Sequence, residues 1–225
     1  MSISLGIYDV FAYVLPGLLY LYFYNEVLKL LHQSYIDINQ LKEIGYIFLV
    51  GVLAYLVGHL MDFVAHRTWI RLLKPPVVQQ EAINIIKEAH PELGIKFEAK
   101  DWNVLGTFLR MKSPELSRGM DEPSAIGIML RNISFGLFLL SIFHFILFFV
   151  NSFAFINLAL FVFCFAFSLI AFRRSLIFSR RYHIAIFESA LAYGNSLDDV
   201  LRNARKSNGT TTNKDDASIG ANEYQ

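Results

Sequence analysis

The chain has 225 residues, of which 55% are hydrophobic and only 17% are charged, and its formal net charge at pH 7 is +1. A water-soluble domain of this length needs more charged surface, so the composition excludes an ordinary globular protein. No Asp, Glu, Lys or Arg occurs between Arg131 and Arg173, a run of 41 residues. One crossing of a bilayer takes about 20 helical residues. The sequence therefore predicts an integral membrane protein.

Four transmembrane helices are predicted, within an all-α fold. The first runs from about Leu5 to His32 and should bend at Pro16, because proline removes a backbone hydrogen bond. The second has an uncharged centre from Ile44 to Met61. The third is expected from about Pro123 to Val150, and the fourth from about Ala154 to Phe172.

The hydrophilic segments are also predicted to be largely helical. Helical periodicity runs over 79–89 and 100–111, whereas 113–122 has the composition of a loop. After the fourth span we expect an amphipathic helix over 176–193 and a short helix over 197–205. The predicted organisation is a transmembrane hairpin (1–66), a cytoplasmic helical loop (67–122), a second hairpin (123–173), a cytoplasmic helical extension (174–206) and a disordered tail (207–225).

The basic residues predict the orientation of the chain. Ten of the twenty Lys and Arg lie between Arg67 and Arg131, and eight lie from Arg173 onward. Only Lys29 and Lys42 flank the loop between the first two spans. Basic residues near spans are retained in the cytoplasm, so both termini and the large loop are expected there.

Three ionisable residues share one face near the cytoplasmic end of the second span: His59, Asp62 and His66. Their spacings of three and four residues place them on the same side of a helix. Two imidazoles and a carboxylate are compatible with zinc, but no fourth ligand is evident. The favoured interpretation is a polar membrane cluster that bonds to a neighbouring helix, with no bound metal.

Rows of small and polar residues line one face of the third and fourth spans. Such rows let membrane helices approach closely and form hydrogen bonds across their contact. Two interpretations stay open: packing within one four-helix bundle, or the lining of a water-filled path formed by several subunits. The residues concerned are Ser134, Ser141, His144 and Asn151 on the third span, and Asn157, Cys164 and Ser168 on the fourth.

A basic cluster follows the fourth span: Arg173, Arg174, Arg180 and Arg181. Arginines beside a span ordinarily keep that end of the span in the cytoplasm and contact anionic lipid headgroups. The same arginines are also suited to a phosphate-bearing ligand, because a guanidinium pairs with phosphate through two hydrogen bonds.

Sequence motifs of catalysis are absent. There is no phosphate loop, no G-x-S-x-G, no H-E-x-x-H and no dinucleotide fingerprint. Cys164 is the only cysteine, so no intrachain disulfide can form. We therefore expect neither an enzyme nor a resident cofactor.

Several short motifs resemble a known group of proteins. These motifs are Tyr8-Asp9-Val10-Phe11-Ala12-Tyr13-Val14-Leu15-Pro16-Gly17, Tyr55-Leu56-Val57-Gly58-His59-Leu60, and Arg173-Arg174 followed by Arg180-Arg181-Tyr182. They resemble small multi-pass bacterial membrane effectors of anti-phage defence, such as the channel effectors of Hailong-like systems. The resemblance implies a homo-oligomer in the lipid bilayer, controlled by a nucleotide or oligonucleotide signal from a partner enzyme, whose opening depolarises the inner membrane.

Three functions are consistent with the sequence. The leading hypothesis is an oligomeric membrane effector, an ion channel gated through its cytoplasmic segments. The second is a non-catalytic membrane anchor or assembly factor that docks a soluble partner. The third is a membrane enzyme or metal-dependent protein that uses His59, Asp62 and His66.

Overall fold

A computed structural model of the chain describes residues 7–31, 44–74, 77–91, 97–150 and 153–193. Throughout these ranges the regular elements are helical. The α-helices are α1 (Ile7–Leu30), α2 (Ile44–Leu73), α3 (Val78–Ala89), α4 (Trp102–Lys112), α5 (Pro114–Val150) and α6 (Phe155–Leu191), and a 3₁₀ turn over Ala99–Asp101 precedes α4.

Three of the helices are long and apolar enough to cross a membrane. The segments are Gly45–Leu73 in α2, Gly119–Val150 in α5 and Phe155–Leu191 in α6. Large apolar side chains lie exposed along all three, as expected where lipid covers the protein surface. The prediction of a membrane protein built from long apolar helices agrees with this arrangement.

Helix α1 is not among these three. It is 24 residues long and contains Pro16. Five tyrosines lie between Tyr8 and Tyr24, and Asn25, Glu26 and Lys29 follow them. These polar and charged residues interrupt the apolar stretch of α1.

Helices α5 and α6 are each 37 residues long, which corrects two expectations. The predicted loop over 113–122 is helical from Pro114, and Pro123 lies inside α5. Proline clashes mainly with the carbonyl four residues earlier, which here belongs to Gly119, a residue whose backbone adapts readily. The helix predicted to end at Phe172 and the amphipathic helix predicted over 176–193 form one continuous helix, because α6 runs through the arginines to Leu191 without a break. The short helix expected over 197–205 and the tail lie outside the described residues.

The chain divides into two compact units. The first consists of Met1–Val78 and Asp121–Tyr182, and the second of Gln79–Met120 and His183–Gln225. The apolar parts of all the long helices belong to the first unit, so the membrane-crossing character of the protein resides there.

In the first unit, α1 and α2 pack in direct backbone contact. A Cβ atom at Gly17 would collide with the carbonyl oxygen of Ala54, and a Cβ atom at Gly58 would collide with that of Tyr13. The order of these contacts is antiparallel. Each helix therefore presents one glycine to the backbone of the other, the small-residue packing typical of membrane helices.

Helix α5 packs against α1 and α6 in the same unit. A Cβ atom at Gly136 would come within 2.6 Å of the Leu19 side chain, and one at Gly127 would lie 3.4 Å from the backbone nitrogen of Ser179. Aromatic side chains fill the centre, where the Trp69 ring stacks on Phe172 at 4.8 Å between centroids. The buried core cluster consists of Tyr20, Ala65, Trp69, Phe135 and Phe172.

The second unit is a small helical cluster with its own apolar core. Helix α3 buries Ala82, Ile83 and Ile86, and α4 buries Leu105, Phe108 and Leu109. The last turns of α6 contribute Ile186, Phe187 and Ala190. The predicted helices over 79–89 and 100–111 are therefore present, with bounds that differ by one or two residues.

The glycine contacts between α1 and α2 give a paired test. We expect Gly58→Ala to lower the free energy of unfolding by about 1–3 kcal/mol, because backbone atoms cannot move aside for the new methyl group. Gly51→Ala is the control on the same helix, since nothing lies within 4 Å of its Cβ position. There the change should be neutral or stabilising by up to about 1 kcal/mol, because alanine is the better helix former.

Reversible unfolding in mixed micelles, followed by circular dichroism, measures both variants. Equal effects at the two glycines would contradict the close contact between α1 and α2.

Candidate functional site

An ion pair joins α2 to α5 inside the first unit. The Arg131 guanidinium donates from Nη2 to Oδ1 of Asp62 at 2.7 Å. Each side chain is only 23% exposed. Ionisable groups in membrane helices are costly and usually pair with one another, so this contact is the expected solution for two opposite charges.

His66 completes the contact one turn beyond Asp62. Nη1 of Arg131 lies 3.3 Å from Nδ1 of His66. A guanidinium has donors only, so Nδ1 must accept and the imidazole carries its proton on Nε2. The neutral ring thus shares the arginine with the carboxylate. We call Asp62, His66 and Arg131 the polar triad.

The polar triad lies near one end of the apolar segments. Asp62 is about 27 Å along the helix axis from the start of α2, and Arg131 is about 28 Å from the end of α5, at 1.5 Å per residue. A hydrocarbon core is about 30 Å thick. Both distances are close to that thickness, so the triad lies near one end of the apolar segment on each of the two helices.

His59 does not join the triad. Its ring lies edge-on to Tyr13 at 4.8 Å between centroids and stacks on Tyr55 at 6.3 Å. Of the three residues that the sequence groups together, the structure therefore brings only Asp62 and His66 to a common partner. Within the described part of the chain, no three His, Cys, Asp or Glu side chains are arranged to hold a metal ion.

Tyr20 and Asn132 extend the polar region towards α1. The Tyr20 hydroxyl donates to the backbone carbonyl of Asn132 at 2.7 Å, and both residues are buried. The side chain of Asn132 is itself fully buried. Helices α1, α2 and α5 thus meet around a buried polar region rather than around hydrocarbon alone.

A second polar contact joins α5 to α6. Ser134 Oγ donates to the backbone carbonyl of Ser168, and Ser168 Oγ donates to that of Ser134, both at 2.8 Å. Both serines are 0% exposed. Further along the same two helices, Nδ1 of His144 lies 3.4 Å from Oδ1 of Asn157. We call the Ser134–Ser168 and His144–Asn157 contacts the polar seam.

The other residues of the predicted rows are placed differently. Ser141 is buried and donates to the carbonyl of Phe138 in its own helix at 2.7 Å. Cys164 is a buried free thiol. Asn151 lies outside the described residues. The structure therefore brings four of the seven predicted seam residues into contact across α5 and α6.

The four arginines that follow the fourth span lie on one continuous helix. Arg173 and Arg174 are exposed, and Arg181 places its guanidinium 5.4 Å from the centroid of the Phe178 ring. Positions seven residues apart fall on the same helix face about 10.5 Å apart. Arg173 and Arg174 therefore lie in line with Arg180 and Arg181, as two pairs on one side of α6.

Sequence reasoning missed the partner that matters most to Asp62, which is Arg131. The available signal was charge complementarity, because these are opposite charges at the margins of two predicted spans and such charges pair. Asn132 and Trp69 were also missed. No spacing in the sequence marks either residue as part of a polar contact between helices.

Comparison with known proteins finds no matching family model, no matching curated protein and no matching solved structure.

The ion pair can be tested with a double-mutant cycle. We expect Asp62→Asn and Arg131→Gln each to destabilise the protein, and the double variant to be less destabilised than the sum by about 1–3 kcal/mol, since either single change leaves a half-buried charge alone. The exposed pair Lys29–Glu26, at 2.7 Å, is the control. Its coupling should be about 0.5 kcal/mol or less, because water screens it.

Each cycle requires the free energies of unfolding in micelles of the unchanged protein, the two single variants and the double variant. Strict additivity at Asp62 and Arg131 would refute an energetic role for their contact.

Proposed function

We propose that the chain crosses the bacterial inner membrane four times, with α1 as a span in addition to α2, α5 and α6. The support is the antiparallel contact of Tyr13 and Gly17 with Gly58 and Ala54, at the middle of the apolar segment of α2. Because α1 is in backbone contact with the middle of the apolar segment of α2, the two helices share the same surroundings. At 1.5 Å per residue α1 is about 36 Å long, which exceeds the hydrocarbon thickness. The termini and the hydrophilic segments then face the cytoplasm.

Within that topology the protein is proposed to act as an oligomeric membrane effector that opens an ion path. The observation that carries this proposal is the polar seam. Two polar contacts run along the apolar parts of α5 and α6. The hydroxyls of Ser134 and Ser168 each donate to the backbone carbonyl of the other residue, and the His144 ring lies beside the Asn157 amide. A helix pair bonded in this way is closed to water. If the helices part, the same hydroxyl, imidazole and amide groups become a hydrophilic lining.

The proposed trigger is a nucleotide or oligonucleotide made by a partner enzyme. Arg173 and Arg174 are exposed on α6, only one to two turns beyond Ser168 on the same helix. Phosphate groups bind such paired guanidiniums through charge-assisted hydrogen bonds. A ligand that pulls on this part of α6 therefore acts on the element that forms one side of the polar seam. The resemblance to effectors of anti-phage defence supports the same assignment.

The topology makes a direct prediction about the N-terminus. A fluorescent protein that folds only in the cytoplasm should fluoresce when it is fused to either terminus. Alkaline phosphatase, which is active only outside the inner membrane, should be active when inserted between α1 and α2. Active phosphatase at the N-terminus would instead indicate that α1 does not cross the membrane.

The gating proposal is tested by locking the seam. In a Cys164→Ala background, Ser134→Cys and Ser168→Cys should form a disulfide across α5 and α6 when the cells are treated with a membrane-permeant thiol oxidant, which accepts the two electrons. Phage infection of expressing cells should then fail to depolarise the membrane until a reductant is added, because the helices cannot separate. A potential-sensitive dye reports the result, and the single Ser134→Cys variant is the control.

Disulfide formation is verified by a gel shift in the same samples. Identical depolarisation of the locked and reduced protein would contradict gating at the seam. An unchanged membrane potential under every condition would remove the channel proposal.

The second candidate is a non-catalytic membrane anchor for a soluble partner. The observation in its favour is that Ser134 and Ser168 are fully satisfied within one chain, as packing alone requires. A stable soluble partner that co-purifies with the protein, in the absence of any conductance, distinguishes this candidate from the channel.

A further inference from the structure

Asn132 is a polar side chain that the fold buries without satisfying it. It is 0% exposed, and among the described residues neither its Nδ2 nor its Oδ1 has a hydrogen-bond partner. Its backbone carbonyl, in contrast, accepts the bond from Tyr20. The orphaned group is therefore the amide side chain alone, on the part of α5 that contacts α1.

Two more buried nitrogen atoms in this region also lack a hydrogen-bond partner among the described residues. Nε of Arg131 is the neighbour in sequence, and Nε1 of Trp69 belongs to the aromatic cluster that also contains Tyr20 and Phe135. Neither atom has a partner within the described ranges. Buried polar atoms are nearly always bonded in native proteins, so several orphans in one region call for a missing partner.

The chemistry of these atoms narrows the class of that partner. The Nδ2, Nε and Nε1 groups are all donors, whereas Oδ1 of Asn132 is the single acceptor. A metal cation does not suit a set composed mainly of N–H donors. A bound anion would need a net positive charge, and Asp62 already neutralises Arg131 at 2.7 Å. A water molecule fits, because it both accepts and donates and typically makes about three bonds to buried polar groups.

We propose that Asn132 anchors an internal water site within the first unit, between α5 and its contacts with α1 and α2. Water enters past the polar triad, where the side chains of Asp62 and Arg131 are each 23% exposed. The site does not depend on the channel proposal, because it involves Asn132 and its neighbours rather than the polar seam. The internal water site hydrates the cytoplasmic half of the bundle, whose outer surface is apolar.

The first test replaces Asn132 by leucine, which has a similar volume and no polar atoms. If the amide binds water, Asn132→Leu removes an anchor of that water and leaves the nitrogen atoms of Arg131 and Trp69 without a partner. The melting temperature in nanodiscs should then fall by about 2–4 °C. If the amide is dry and unsatisfied, leucine removes a desolvation cost and the melting temperature should rise. A rise overturns the proposal.

The second test detects the water directly and does not rely on stability. In a Cys164→Ala background, Asn132→Cys should react with a small, charged, membrane-impermeant methanethiosulfonate added from the cytoplasmic side. Ser134→Cys is the matched control, because Ser134 is equally buried on the same helix but lies in the polar seam. We expect modification at Asn132→Cys at least tenfold faster than at Ser134→Cys. Equal, slow modification at both positions in the folded protein overturns the proposal.

Discussion

The structure depends on the rule that a polar group surrounded by lipid must find its partner within the protein. Water is absent from a hydrocarbon core, so each unsatisfied donor or acceptor there costs several kcal/mol. The chain meets this rule with paired contacts at most of these groups, and the side chain of Asn132 is the main exception among the described residues. Arg131 bonds to Asp62, Tyr20 bonds to the carbonyl of Asn132, and the serines of α5 and α6 bond to each other. These contacts join all four long helices of the first unit, so the same bonds that satisfy polar atoms also fix the packing.

Close backbone packing is the second consequence. Between membrane helices the apolar effect is weak, because lipid chains are as apolar as leucine, and association relies on dispersion contacts and hydrogen bonds. Gly17 and Gly58 bring the backbones of α1 and α2 together, and Gly136 admits the side chain of Leu19 to α5. The large apolar side chains can then face outward to lipid. In the proposed channel, such a bundle opens when α5 separates from α6 along the polar seam.

Sequence patterns predicted part of this arrangement well. The 41 uncharged residues between Arg131 and Arg173 required two apolar helices, and the periodicity over 79–89 placed α3 almost to the residue. The continuity of α6 across Arg173 and Arg174 was not predicted, because the change in hydrophobicity after Phe172 was taken as a boundary between two helices. Hydrophobicity follows the solvent, which changes at the membrane surface, whereas backbone hydrogen bonding continues. The pairing of Asp62 with Arg131 and the burial of Asn132 depend on how α2 and α5 pack, which local spacing does not encode.

The central claim is that lipid, rather than water, surrounds the outward faces of these helices, α1 included. Spin labels at Leu15, Leu56 and Phe163, which are exposed side chains on α1, α2 and α6, test it in reconstituted bilayers of the Cys164→Ala protein. Electron paramagnetic resonance should show frequent collisions of each label with dissolved oxygen and few with a water-soluble nickel chelate. Ready access of the nickel chelate to all three labels would contradict the account.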